Sequence, residues 1–204
     1  MSLRYFDYYH QLEKRLRIEE PLMLRAGSLI AHQISLGGKL QIFASRKLSG
    51  VAFEFQEQLP TIIPSGLIKK PANGIYEKLE GTGQAIIKEL SVEREDIFLL
   101  LSNEGREASI VELAQWIKAK GHLLIIVTGF DLSRSMKPQH SSGLRLFEFA
   151  DLVLDNQAKM NDAVLFLPDV ELSICGSSSI ATMLLLQQIL YFTVEQLLHQ
   201  SKNK

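Results

Sequence analysis

A chain of 204 residues, 46% hydrophobic and 22% charged, has the makings of an ordinary globular core and is neither disordered nor collagen-like. Twenty-two basic residues against 23 acidic ones give a net charge of −1, which argues against a protein held to nucleic acid by phosphate contacts. A single cysteine, Cys175, excludes an intrachain disulfide and fits a reducing, cytoplasmic setting.

The first residues, MSLRYFDYYHQLEKRLRIEE, lack the apolar centre of a signal peptide. Leu12, Leu16, Leu22, Leu29, Ile30 and Ile34 recur near helical spacing, so residues 3–36 read as helix. Pro21 should kink that run or start a second helix, because proline lacks an N–H and crowds the preceding turn. Gly37-Gly38 stops it. Residues 39–44 read as a short buried strand, and 49–59 return to a helical pattern.

From 60 to 73 the chain has three prolines and one candidate strand, 61–63. Long irregular stretches of this kind are often functional. Residues 74–90 read as helix, which makes Gly81-Thr82-Gly83 a poor phosphate loop. A clear alternation follows: strand 97–101, helix 107–120, strand 122–128 and strand 151–154, with 163–167 as a further edge. Continuous Leu/Ile/Val strands separated by helices indicate a parallel sheet covered on both faces. Residues 180–198 are apolar but broken by Gln187, Gln188, Glu195 and Gln196, so they read as a buried helix and not a membrane span. The pattern predicts one α/β domain over 1–204, a three-layer sandwich. Its parts are a helical region (1–36), an α/β core (37–177) and a closing helix (178–204).

Ligands of doubly wound sheets bind beyond the carboxyl ends of the strands, at the topological switch point. Two loops qualify. Ser45-Arg46-Lys47-Leu48-Ser49 follows the first strand, and Ser102-Asn103-Glu104-Gly105-Arg106 follows the strand ending at Leu101 and opens into a helix. Hydroxyls and free N–H groups at a helix start suit an anion. The simpler use is a cap by Ser102 or Asn103, with Glu104 and Glu107 complementing the helix dipole.

The stretch LLLSNEGREASIVELAQWIKAKGHLLIIVT resembles the centre of a SIS domain, the sugar-isomerase fold. QHSSGLRLFEFADLVLDN, NDAV and CGSSS are similar to one SIS family whose members carry phosphoheptose or phosphosugar isomerase labels. The resemblance spans roughly residues 30–200 and implies a mainly parallel five-stranded, Rossmann-like sheet. It also implies a phosphosugar site between loops, assembly as a homodimer or homotetramer through helices, and no metal or redox cofactor for the simplest chemistry. The function it implies is binding of a phosphorylated sugar or related carbohydrate derivative, with aldose–ketose isomerisation as the associated reaction. The alternative is a sensor or regulatory subunit without turnover.

Two departures bear on that reading. The family pattern Gly-x-Gly-x-Ser is Ala44-Ser45-Arg46-Lys47-Leu48 here, and Ser-x-Ser-Gly is Ser102-Asn103-Glu104-Gly105. A carboxylate about 4 Å from a phosphate charge costs roughly 4 kcal/mol at an effective dielectric near 20. Either Arg46, Lys47 and Arg106 compensate Glu104, or it points away.

Isomerisation needs groups that move a proton between adjacent carbons. Glu54 and His140 match acidic and histidine positions of the family, with Ser142 beside His140; an exposed helix glutamate and a backbone-bonded loop histidine are the plainer uses. The other histidines show no metal-ligand spacing. Tyr5, Phe6, Tyr8 and Tyr9 are dense enough to suggest a subunit interface, whereas Trp116 reads as core or interface and Cys175 as a small buried residue.

Overall fold

The computed structural model describes residues 3–202. The helical start is two helices, α1 (Arg4–Leu16) and α2 (Glu20–Ser35), with Pro21 in the first turn of α2, where its missing N–H costs nothing. Strands β1 (Leu40–Ala44), β2 (Ser65–Leu67), β3 (Ile97–Leu101), β4 (Leu123–Thr128) and β5 (Leu152–Asp155) form one sheet in the order β2-β1-β3-β4-β5. Every pairing is parallel, with Leu40 opposite Ile97 and Ile97 opposite Leu123. The five-stranded parallel sheet expected from the alternation is therefore present, and its switch point lies at β1 and β3.

Side chains alternate across this sheet and build two cores. Leu40, Ile42, Ile97, Leu99, Leu101, Ile125 and Val127 pack on one face with α1, α2, α3 (Ser49–Glu57) and α7 (Ser178–Lys202). Phe43, Phe98, Leu100, Leu124 and Ile126 pack on the other with α4 (Thr82–Lys88) and α5 (Ala108–Ala119). Both faces of the central strands are dry, so the sequence needs apolar residues at consecutive positions.

The longest helix contact is α2 on α7. Gly27 makes it possible, since a Cβ there would lie 2.7 Å from Phe192 Cβ. α7 has the length and composition of a membrane span, but Ala181, Leu185, Leu186 and Ile189 are buried in the first core.

Three expectations are corrected. Residues 61–63 form a turn, with Ile63 N–H donating to Pro60 O, and the edge strand is Ser65–Leu67 instead. The helix expected over 74–90 is confined to Thr82–Lys88, because Gly81 adopts φ +89°. The stretch 163–167 contributes β6 (Leu165–Leu167) to a separate antiparallel pair with β7 (Leu172–Ile174). A further helix, α6 (Phe130–Ser135), follows β4. The predicted span 1–204 extends beyond the described residues at 1, 2, 203 and 204.

Candidate functional site

The backbone carries the ladder one residue past each central strand: Ser45 N–H donates to Leu101 O and Ser102 N–H to Val127 O. Both loops therefore start side by side at the carboxyl edge of the sheet. A one-turn helix at Arg46–Leu48 leads into α3 and leaves Arg46 and Lys47 exposed.

Glu104 stands between these loops. Its Oε1 accepts from Lys47 Nζ at 3.1 Å and its Oε2 from Arg106 Nε at 2.8 Å. Burial raises the Glu104 pKa, but the two cations outweigh it and hold the carboxyl below the ordinary carboxylate range. Of the three basic residues weighed as partners, Lys47 and Arg106 pair with Glu104, and Arg46 is not among its hydrogen-bond partners in the described residues. A carboxylate already sits where two loops present cations to one another.

The capping expectation is corrected. The residue before α5 is Glu107, and neither Ser102 nor Asn103 caps the helix. Ser102 Oγ accepts from Gly105 N–H at 2.9 Å and donates to Glu107 Oε2 at 2.9 Å, so Ser102 closes the turn. Gly105 has φ +59°, which disfavours a side chain, and a Cβ there would lie 3.0 Å from Ser133 Oγ and 3.2 Å from Leu146 Cβ. Glu107 is 8% exposed, and burial raises its pKa. Asn103 turns inward: its amide donates to Ser178 Oγ and its carbonyl accepts from Asn156. That network ties the second loop to the start of α7, whose Ser177 and Ser178 N–H groups are held by Asp162.

Lys70 from the irregular stretch and Glu77 just beyond it join the site without having been anticipated. Lys70 Nζ donates to Ala44 O at 2.9 Å and to Ser49 Oγ. Glu77 accepts from Arg46 N–H at 2.8 Å, and its own carbonyl accepts from Ser109 N–H. The signal for this segment was its length and lack of period, which mark a strap but not its contacts.

Glu54 and His140 have separate surroundings. Glu54 is exposed on α3, accepts from Gln58, and borders a groove of about 330 Å³ with Val51, Ile180 and Met183. His140 Nδ1 bonds Ser142 Oγ at 2.8 Å, while its Nε2 lies 3.8 Å from Glu112. Glu112 in turn accepts from Gly81 and Gly83 N–H, so this glycine pair does bind an anion, the chain's own. Neighbouring Ser141 bonds Glu80. Tyr5 and Tyr9 donate to Gly176 O of the same chain, which leaves Phe6 as the outward member of the aromatic cluster. Trp116 packs edge-on to Phe98 in the second core, as its place in an amphipathic helix suggested.

Residues 4–129 match the family described as SIS domain. A UPF0309 protein of Listeria monocytogenes is 40% identical over 201 residues, covering 98% of this chain and 86% of its own length. Among solved structures, a phosphoheptose isomerase from Francisella tularensis superposes with TM-score 0.64 at 16% identity, covering 96% of this chain and 99% of that one. Another from Neisseria gonorrhoeae gives 0.62 at 12% identity, covering 94% and 96%. At such identities these likenesses show the fold alone.

Proposed function

Since the chain belongs to the SIS-domain family and to the UPF0309 proteins, we propose that it binds a phosphorylated sugar, or a related anionic carbohydrate derivative, between the loops after β1 and β3. The observation that carries this reading is the Glu104 carboxylate held by Lys47 and Arg106 at the switch point. Two basic side chains from different loops converge on one anionic group there. Arg46 stands beside them, and a ligand phosphate displaces Glu104 and takes over both contacts. The phosphoheptose isomerases that share the fold support a sugar phosphate as the class of ligand.

A second reading, a sensing or regulatory subunit that binds without turnover, is favoured by the different surroundings of Glu54 and His140. The two share no hydrogen-bond partner among the described residues. Assembly with a second copy is part of the proposal: Ile180, Leu184, Tyr191 and Leu198 leave one side of α7 apolar and exposed. A thermal-shift screen of sugar phosphates tests binding, since ligand at about 100 times Kd stabilises the fold by about 2.7 kcal/mol. Hydrogen exchange at the sugar's second carbon, followed by NMR, separates turnover from binding. No stabilisation by any sugar phosphate contradicts the reading.

A further inference from the structure

Lys70 is built into the carboxyl edge of the sheet. Its Nζ lies over the ring of Phe43, 5.9 Å from the centroid. Gly74 leaves the space that the stem occupies, since a Cβ there would lie 3.3 Å from Lys70 Cδ. Directly after Pro71, Ala72 and Asn73 both take positive φ, at 46° and 52°. Such conformations persist only where surrounding contacts fix the chain's path. The strap is thus held in an unfavourable course that delivers Lys70 on one side and Glu77 on the other.

An ammonium has three N–H donors. Among the described residues Lys70 spends two, on Ala44 O and Ser49 Oγ. Ala44 ends β1 and Ser49 opens α3, so the two partners flank the loop between them and the third donor is available there. The charged groups around it are Glu77 on the strap, Arg46 on the first loop and Glu107 at the start of α5.

We infer that Lys70 is a ligand-binding residue of this site, donating its third N–H to the bound anion while holding Ser49 in place. The inference rests on the sugar-phosphate reading above and adds a residue from a third segment. Its contribution differs in kind from that of Lys47. The Lys47 side chain is 57% exposed and is screened by salt, whereas Lys70 is half-buried. Burial also lowers the Lys70 pKa, with Glu77 opposing, so its positive charge is present below that value and lost as pH rises through it.

The test is calorimetric titration of the full chain with inorganic phosphate, a dianion throughout the range from about pH 8 to about pH 9.5. Wild type should lose affinity as pH rises, because Lys70 gives up its proton below the ordinary lysine range. Lys70→Arg, which stays protonated, should keep its affinity level. Lys70→Met should bind about tenfold more weakly at the lower pH and show no alkaline loss. If Lys70→Met binds like wild type while Arg106→Ala is weakened, or if Lys70→Arg retains the alkaline loss, the role of Lys70 is overturned and the site stands. If wild type, Lys70→Arg and Lys70→Met all fail to bind phosphate and glucose 6-phosphate, the site itself is overturned and Lys70 with it.

Discussion

Glu104 on the β3 loop accepts a hydrogen bond from Lys47 on the β1 loop at 3.1 Å, joining the two segments that flank the switch point of the sheet. With Arg106 on its second oxygen, the carboxylate satisfies in cis the two cations that the proposed anion would use. Any anionic ligand competes with a tethered one. If the cradle is open in about one molecule in ten, apparent affinity is about tenfold weaker than that of the open form.

The second buried carboxyl sets a pH dependence of stability. Burial holds Glu107 above the ordinary carboxylate range. A fold that raises an acid's pKa is favoured while the acid is protonated. That advantage is present below the unfolded value, about 4.3, and is lost as pH rises through the raised one. Urea midpoints measured across this range should therefore fall with pH in wild type and fall less in Glu107→Gln. Parallel profiles for the two proteins would show that Glu107 is not the group responsible.

The contact between α2 and α7 depends on a missing side chain. In Gly27→Val the new Cβ would lie 2.7 Å from Phe192 Cβ and 3.0 Å from the Thr193 nitrogen, and its methyl groups would add to the clash. Overpacking of this kind costs about 1–3 kcal/mol. Chemical denaturation should show that loss, and an unchanged midpoint would mean the two helices separate freely.

Leu184, Tyr191 and Leu198 recur every seven residues on the outer side of α7 and are about half exposed. We expect a homodimer that covers them. Light scattering at micromolar concentration should report a dimer for wild type and a monomer for Leu184→Glu. A monomeric wild type would remove the dimer from the proposal.

The central strands were legible because each is apolar on consecutive positions, which only a sheet covered on both faces requires. The edge strand Ser65–Leu67 carries no such signal; its backbone bonds to β1 define it, and the stronger apolar pattern at 61–63 misled by lying in a turn. The two candidate loops followed from position; the pairing of Glu104 with Lys47 and Arg106 was one of two arrangements open from sequence, and only the folded chain shows it. The inward turn of Asn103 was not legible, since its partners Ser178 and Asn156 are distant in sequence. Lys70 escaped for the same reason, since an aperiodic stretch declares its length and only the folded chain shows which side chains it delivers, and Glu77 escaped because 74–90 read as helix.

The most direct measurement is calorimetric titration of a sugar phosphate such as glucose 6-phosphate into wild type, Glu104→Gln and Arg106→Ala at low and high salt. Glu104→Gln should bind several-fold more tightly than wild type, because its cations are freed. Arg106→Ala should bind more weakly by about 1.5–3 kcal/mol, the range for a hydrogen bond to a charged group. Added salt should weaken wild-type binding, since Lys47 is exposed. Wild type and Glu104→Gln that both bind nothing would contradict an anion site between these loops.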